Sequence, residues 1–395
     1  MDEQDRSTWV GIMYVGNFAS VSARFPERGL SLYFERSVPK LVPPDQAALF
    51  EPSHDWVVGV TSKEMHEAGP GPKHVLVRRA VALGDVLCVH GALQGILRAY
   101  PRQYRLSYQV SEIYADIFRP HPAYVHVLGT DTPLYSVGGL DHVVSLDGLL
   151  EKDHNVDADK VNRVVRTWRH FFGQRGDLMD NPNLKPDFRL TIPETDRAWA
   201  FRKLEAFGLL DGKPLVAVAA RAVQNPRNVQ DGLVRAFTDD LTRRTDCRVL
   251  LLEPEHKHIW TADRVYSFPQ STVLQAMALL QHADVLCTMD SGAMWMGHCI
   301  PVPMVVWLGP TPPETKCNYH AFYPEGVRAL RMWEWIGCPA ACYEAATWCD
   351  WSYRCVKQPP RERFIEESIA AVLELVDWNR THGQKARQPG ILAIE

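Results

Sequence analysis

From His74 onward, short apolar segments alternate with stretches whose apolar residues recur at helical spacing, and this alternation constrains the fold most strongly. The apolar segment 75–81 is followed by a Gly84-Asp85 turn, after which apolar residues fall three and four positions apart as far as Tyr100. Strands that are separated by helices predict a parallel sheet with helices on both faces. The sequence therefore predicts an α/β fold.

A second series of the same kind follows a helical stretch at 195–210. Its strand candidates, with helices predicted between them, lie at 214–220, 247–253, 264–268, 284–289 and 303–309. A chain of 395 residues is long enough for two domains at about 100 to 200 residues each. We therefore predict two Rossmann-like domains in tandem.

The first seventy residues differ from the rest and predict a small β-rich module, because glycine and proline separate short apolar segments there. The turn-forming run from Ala68 to Pro72 marks its end. The predicted order along the chain is a β-rich module at 1–70, an N-terminal Rossmann-like domain at 74–205, a C-terminal Rossmann-like domain at 206–360, an amphipathic helix at 361–381 and a loose tail at 382–395.

Composition narrows the classes of partner and the compartment. A net charge of −4 gives no global field for a polyanion, so nucleic acid is a possible partner but not a favoured one. The apolar runs are shorter than the roughly 18 to 20 residues that a membrane-spanning helix needs. The first residues are acidic and polar, where a secretory signal carries positive charge. We expect a cytoplasmic protein.

Four of the nine cysteines fall within eighteen residues, namely Cys338, Cys342, Cys349 and Cys355. In the cytoplasm such a cluster favours thiolate ligands for a metal over disulfides. The spacing lacks the tight Cys-x2-Cys pairs of a zinc ribbon. A structural zinc and four reduced cysteines in a compact loop both stay open as interpretations.

Two turns stand out at the ends of predicted strands, where ligands bind in open parallel sheets: Leu83-Gly84-Asp85 and Asp290-Ser291-Gly292. Neither matches the glycine pattern of a dinucleotide site or a P-loop, and the chain has no HExxH or GxSxG motif. Asp85 fits either a general base or a helix N-cap. Ser291 and Gly292 fit either a phosphate-binding helix start or a plain capped turn.

The stretches around both turns resemble the heptosyltransferase-like glycosyltransferases of family 9, which have the GT-B architecture. VLVRRAVALGDVLCVHGALQGILRAYP resembles the family's opening strand, turn and helix, and SFPQSTVLQAMALLQHADVLCTMDSGAMWMGHCIPVPMVVWLGPTPP resembles its donor segment. The resemblance runs from about residue 74 to 380 and leaves the first seventy residues unexplained.

The resemblance implies that the chain moves a sugar from a nucleotide-diphosphate sugar to a hydroxyl group, with inversion at the anomeric carbon. The donor is then held by the C-terminal domain, and the acceptor by the N-terminal domain across a cleft. The implied acceptor is a glycan, a glycolipid or another hydroxyl compound, and peripheral membrane contact is possible. Catalysis needs no metal or other cofactor in this interpretation, since cationic side chains and helix N-termini supply the positive charge.

Carried over to this chain, the resemblance makes Asp85 the general base for the acceptor hydroxyl, with Gly84 forming the turn before it. Arg79 lies six residues before Asp85, where a cation can steady the carboxylate or a phosphate. The alternative for Arg79 is a solvated arginine at a strand end.

On the donor side, the resemblance places Arg221 and Arg227 where the family has a basic residue that faces the departing diphosphate. Guanidinium groups bind phosphate bidentately and stabilise the charge that grows on a leaving group. Either arginine could instead be a surface charge. Glu253 ends a predicted strand, where an acidic side chain can accept hydrogen bonds from ribose hydroxyls.

One departure from the family pattern concerns the position three residues after Gly292. The family often has a histidine there, and this chain has Trp295. His298, one turn further on, is predicted to be a packed helix residue. Two alternatives to sugar transfer onto a small acceptor therefore stay open: a glycosyltransferase that modifies a nucleotide base or nucleic acid, and a noncatalytic nucleotide- or sugar-binding GT-B scaffold.

Overall fold

The structure is a computed structural model that describes residues 10–14, 20–28, 30–35, 40–50, 56–61, 72–101, 103–132, 140–147, 163–173, 176–221, 228–252, 262–268, 271–309, 313, 316–338 and 353–382. The chain divides into two compact units. The first holds Met1–Asp153 and Arg163–Asp187, and the second holds His154–Asn162 and Phe188–Glu395. The predicted limits of the N-terminal and C-terminal domains, and their roles in binding acceptor and donor, stay predictions.

An antiparallel β module opens the first unit. Its elements are β1 (Val10–Tyr14), β2 (Ser20–Phe25), a 3-10 turn (Pro26–Arg28), β3 (Leu30–Glu35), β4 (Lys40–Val42), α1 (Pro44–Ala47) and β5 (Trp56–Thr61). Strand β1 lies between β4 and β5, and β2 pairs with β3. Ile12, Leu32, Val42 and Phe50 form a buried apolar cluster here. The β-rich character that the sequence predicts is confirmed.

The rest of the first unit is a parallel sheet with helices. Its elements are β6 (Lys73–Arg78), α2 (Leu83–Ala99), β7 (Tyr104–Val110), α3 (Glu112–Phe118), β8 (Tyr124–Gly129), β9 (His142–Ser145), α4 (Arg163–Phe172) and a 3-10 turn (Gly176–Asp180). The strand order is β8-β7-β6-β9, and every pair is parallel. Because β7 and β9 flank β6 on opposite sides, the order reverses between β6 and β9, which is where open α/β sheets bind ligands.

Strand β6 ends at Arg78 instead of reaching Val81 as the apolar pattern predicts. The Ala80 N–H donates to the Asp147 carboxylate at 2.7 Å, and the Ala80 carbonyl accepts from the Ser111 N–H at 2.9 Å. Val81 is 47% exposed. The chain has therefore left the sheet three residues earlier than its apolar composition suggests.

Helices α2 and α4 pack against each other. The Trp168 indole on α4 donates to the Ala92 carbonyl on α2 at 2.8 Å. A Cβ at Gly95 would lie 2.6 Å from the Lys185 carbonyl oxygen, so glycine lets the segment after α4 approach α2 closely. This packing holds Arg163, the first residue of α4, beside the first turn of α2.

The second unit repeats the parallel arrangement on a larger sheet. Its elements are α5 (Glu194–Ala206), β10 (Leu215–Ala219), α6 (Asp231–Arg244), β11 (Arg248–Leu251), β12 (Val265–Ser267), α7 (Val273–Leu280), β13 (Val285–Met289), α8 (Gly292–Cys299), β14 (Met304–Leu308), β15 (Val327–Arg331), α9 (Met332–Trp335), α10 (Arg354–Lys357) and α11 (Arg361–His382). The order is β12-β11-β10-β13-β14-β15, again all parallel. Strands β10, β13 and β14 are buried at every position, as apolar runs covered on both faces require.

Helix α11 packs on the second unit through its apolar face. It lies against α6 and strands β13 to β15, and the Trp307 indole donates to the Ser368 hydroxyl at 3.0 Å. The predicted helix at 361–381 is thus present. That this helix crosses back to the N-terminal domain, as the GT-B resemblance implies, stays a prediction. The tail from residue 383 lies outside the described residues. No helix among the described residues is long and apolar enough to cross a membrane.

Candidate functional site

Asp85 lies in the first turn of α2, at the point where the strand order of the first unit reverses. It is the third residue of the helix, and the N-cap is Ala82, which makes no side-chain capping bond. The interpretation of Asp85 as a helix N-cap is therefore wrong. Its carboxylate is 8% exposed, so the sheet edge holds a nearly buried negative charge.

Two arginines bind the Asp85 carboxylate, one at each oxygen. Arg79 Nη2 lies 2.5 Å from Oδ2, and Arg163 Nη1 donates to Oδ1. The Arg79 side chain is fully buried, so its interpretation as a solvated strand-end arginine is wrong. Charge-assisted bonds of this kind favour the ionised carboxylate. Gly84 is half-buried in the turn beside them.

Arg163 is a site residue that sequence reasoning missed. It lies 78 residues from Asp85 in the chain, and it is one of several basic residues in a single helical stretch. Its neighbours in sequence offer no signal that distinguishes it. Only the packing of α4 on α2 brings its guanidinium to the carboxylate.

In the second unit, the strand order reverses between β10 and β13, and two predicted site residues follow these strands. Arg221 comes two residues after β10, and Asp290 directly after β13. The Thr288 hydroxyl joins the two strands by donating to the Ala219 carbonyl at 2.9 Å. The Ser291 hydroxyl caps α8 by accepting from the Ala293 N–H at 3.3 Å. A role in phosphate binding for Asp290, Ser291 and Gly292 stays a prediction.

The charged side chains at this edge are paired within the second unit. Arg221 is 25% exposed and forms an ion pair with Asp231, the first residue of α6. Arg227 and Glu253 lie outside the described residues. Their predicted contacts with diphosphate and ribose stay predictions.

Lys316 is a second cation that sequence reasoning missed. Its Nζ lies 3.8 Å from Asp290 Oδ1, and both side chains are buried, at 3% and 6% exposure. The residue follows β14 in the run GPTPPETK, whose glycine and prolines indicate only a loop. The fold places Lys316 beside the turn after β13, so the buried Asp290 has a positive neighbour.

Trp295 packs into the core beneath the Asp290 turn. It is 2% exposed and stacks on the His298 ring at 4.9 Å between centroids. His298 is buried, as expected for a packed helix residue, and its ring lies 5.2 Å from that of His320. Burial lowers the pKa of His298 well below its ordinary value and that of His320 to about 4. Both rings are therefore neutral near pH 7.

His320 ties the loop that carries Lys316 to helix α8. Its Nε2 donates to the Gly297 carbonyl at 3.1 Å, and its Nδ1 accepts from the Phe322 N–H at 3.1 Å. This pattern needs the neutral ring with its proton on Nε2. The contact of His320 with helix α8 therefore needs an uncharged ring.

Two of the four clustered cysteines, Cys338 and Cys355, lie among the described residues, where Cys355 is buried and Cys338 is half-buried. Cys338 follows α9 by three residues, and Cys355 lies on α10. The two helices pack together. Cys342 and Cys349 lie outside the described residues. Within the described ranges, no group of three or more His, Cys, Asp or Glu side chains could hold a metal ion.

No family model matches the chain, and no curated protein matches it. Solved structures do share its fold. A family 9 glycosyl transferase from Veillonella parvula has a TM-score of 0.56 at 16% identity, covering 76% of this chain and 97% of that chain. ADP-heptose LPS heptosyltransferase II from E. coli has a TM-score of 0.53 at 14% identity, covering 76% and 99%.

A third neighbour matches more of the chain. The iron-containing dodecameric glycosyltransferase TibC from enterotoxigenic E. coli has a TM-score of 0.53 at 13% identity, covering 94% of this chain and 92% of that chain. The predicted α/β architecture of two Rossmann-like domains with a β-rich amino-terminal module is confirmed. The chain has the GT-B fold of the family 9 glycosyltransferases.

Proposed function

We propose that this protein is an inverting glycosyltransferase that moves a sugar from a nucleotide-diphosphate sugar to an acceptor hydroxyl group. The observation that carries the proposal is the nearly buried Asp85 carboxylate, which two arginines hold at the ligand-binding edge of the first sheet. A stable sheet does not need a buried charge at this point, because an apolar residue would carry no desolvation cost there. The GT-B fold supplies the class of chemistry, since the solved neighbours are glycosyltransferases.

In the proposed reaction, Asp85 accepts the proton of the acceptor hydroxyl as its oxygen attacks the anomeric carbon of the donor. The new bond forms on the face opposite the bond to the diphosphate, which breaks with its electron pair moving to the leaving group. The products are the glycosylated acceptor with inverted configuration, the nucleoside diphosphate and protonated Asp85. Arg79 and Arg163 orient the carboxylate and offset its charge before the proton arrives.

The second unit binds the donor diphosphate in this proposal. Arg221 follows β10, and the N-terminus of α8 follows β13, the strand that pairs with β10. Lys316 offsets the charge of Asp290 next to that N-terminus. Positive groups at these positions stabilise the charge that grows on the departing diphosphate. The reaction then needs no divalent ion, and turnover should persist in excess EDTA.

The test is release of nucleoside diphosphate from a panel of nucleotide sugars, each with candidate glycan, glycolipid and other hydroxyl acceptors. The panel includes ADP-heptose, because one solved neighbour is an ADP-heptose transferase. Release that depends on both donor and acceptor supports the proposal. A folded protein that binds a nucleotide sugar and never releases its diphosphate would contradict it.

A second candidate is a noncatalytic nucleotide- or sugar-binding scaffold, which Trp295 favours. The tryptophan replaces a histidine of the family pattern and lies in the core, so this position offers no imidazole to a diphosphate. The two candidates differ in turnover and agree in binding. Calorimetry with the same nucleotide sugars, run beside the release assay, separates them.

We also propose that the cysteine cluster is structural and that it binds a zinc ion. Thiolate sulfur suits zinc and also iron, which the solved neighbour TibC contains. Cys338 and Cys355 fit such a site because Cys355 lies on α10, which packs against α9, and Cys338 follows α9 by three residues. Elemental analysis of the purified protein for both metals tests this proposal directly.

A further inference from the structure

A chain of buried hydrogen bonds runs across the carboxyl ends of all four parallel strands in the first unit. Gln109 on β7 donates from Nε2 to the Gly129 carbonyl at the end of β8, at 3.1 Å. Arg78 at the end of β6 donates from Nη1 to Gln109 Oε1 at 3.3 Å and from Nε to Asp147 Oδ2 at 2.8 Å. Asp147 follows β9. Side chains thus connect four strands whose backbones connect only pairwise.

The last bond in this chain of hydrogen bonds lies in the turn between β6 and α2, which carries Arg79. Asp147 Oδ1 accepts from the Ala80 N–H at 2.7 Å, one residue beyond Arg79. The Leu146 carbonyl accepts from Arg79 Nη1 at 3.2 Å. The segment after β9 therefore binds the backbone beside Arg79 and also the Arg79 side chain.

These groups carry an energetic cost that the sheet itself does not require. Arg78 is fully buried, and Gln109 is 1% exposed. A buried ion pair is often no more stable than apolar residues of similar size, while a pair that loses one partner is strongly destabilised. Satisfied buried polar networks make the surrounding structure rigid and fix one geometry. The geometry fixed here is that of the turn between β6 and α2.

We infer that Arg78, Gln109 and Asp147 are positioning residues that hold the Arg79–Asp85 pair in its reactive arrangement. The inference rests on the proposed function, because it assigns these residues to the general base of that reaction. None of the three touches the Asp85 carboxylate. Asp147 binds the Ala80 N–H of the turn directly, Arg78 acts through Asp147, and Gln109 acts through Arg78.

The test uses Gln109→Met, which keeps the side-chain length and removes both hydrogen bonds in the middle of the chain. Ser107→Ala is the matched control, since Ser107 is also fully buried on β7. This variant loses a hydrogen bond of 2.8 Å to His74, which is not part of the chain of hydrogen bonds described above. We expect the melting temperature to fall by a similar amount in both variants. Only Gln109→Met should lower kcat, by about tenfold or more, with KM for the donor unchanged.

A second readout separates positioning from simple destabilisation. A less firmly held Arg79 leaves the Asp85 carboxylate with less positive charge nearby, so Asp85 takes up its proton at a higher pH. The acid limb of the kcat profile should therefore move to higher pH in Gln109→Met and in Asp147→Asn, and stay in place in Ser107→Ala. Equal kcat and equal pH profiles in Gln109→Met and Ser107→Ala would overturn the inference.

Hydrogen exchange keeps the inference testable whether or not transfer is observed. The Ala80 amide should exchange slowly in the wild type and in Ser107→Ala, and at least tenfold faster in Gln109→Met. If the wild type transfers no sugar, the proposed function fails, and this exchange still decides whether the chain fixes the turn. Unchanged protection of Ala80 in Gln109→Met would contradict the positioning role even with transfer confirmed.

Discussion

Replacing Asp85 by asparagine tests the proposed base and the ion pairs around it in one change. Asparagine keeps the shape of the side chain and removes its charge and its basicity. Positioned proton transfer contributes about 10²- to 10⁴-fold to a rate, so kcat should fall by that factor. The KM for the donor should stay within a few fold, because the groups proposed to bind the donor belong to the second unit.

The same substitution should lower stability by an amount that the burial of the site sets. Arg79 and Arg163 have side chains that are 0% and 11% exposed, and both would lose the charge of Asp85. Loss of one partner from a buried ion pair costs about 3–5 kcal/mol. For a unit of this size that corresponds to about 6–20 °C in melting temperature.

Two further variants separate the loss of catalysis from the loss of stability. Asp85→Asn combined with Arg79→Met removes one of the uncompensated cations and should recover part of the lost stability without recovering turnover. Asp116→Asn breaks an exposed ion pair with Arg119 in the same unit and should cost less than about 1 kcal/mol. Turnover is measured by nucleoside diphosphate release well below each melting temperature. A folded Asp85→Asn protein with near-normal kcat would refute the assignment of the base.

The second unit gives three more predictions. Nucleoside diphosphate should raise the melting temperature, and Lys316→Met or Arg221→Ala should each reduce that shift, since charge-assisted phosphate contacts are lost; an unchanged shift would exclude that residue from the donor site. His320 is neutral in the folded protein, where its pKa is about 4, and it takes up a proton near pH 6.5 in the unfolded chain. The contribution of His320 to the free energy of unfolding should therefore be full above pH 6.5 and fall by about 3 kcal/mol between pH 6.5 and 4. His320→Gln should flatten this pH dependence in denaturant titrations. Cys338→Ser with Cys355→Ser should lower stability and metal content more than turnover per folded molecule, and the reverse order would place the cluster in the active site.

The architecture was predictable from sequence because fully buried parallel strands leave a continuous apolar signal. The segments that form β10, β13 and β14 are buried at every position and apolar at all but Thr288, and each ends at a polar or small residue. Strand β6 shows the limit of that signal. The predicted strand runs on to Val81, but β6 ends at Arg78, and beyond it the Ala80 N–H bonds to Asp147, a residue distant in sequence.

The site was predictable in part, for a related reason. Asp85 could be singled out as a candidate because a glycine-aspartate pair after a predicted strand marks a turn at the ligand-binding edge. Arg163 and Lys316 were not, because they reach their carboxylates through helix packing and loop return, which local sequence does not encode. Arg78 did carry a signal, since a second arginine at the end of an apolar strand indicates a buried charge that needs a partner.

The most direct test of the central claim is to follow one reaction by NMR with wild-type protein and with Asp85→Asn. The donor is the nucleotide sugar that the release assay selects, and the spectra report both the nucleoside diphosphate formed and the anomeric configuration of the product. Our account predicts one diphosphate per transferred sugar, inverted configuration in the product, and at least a hundredfold slower transfer by Asp85→Asn. Retained configuration, or equal transfer rates for the two proteins, would contradict it.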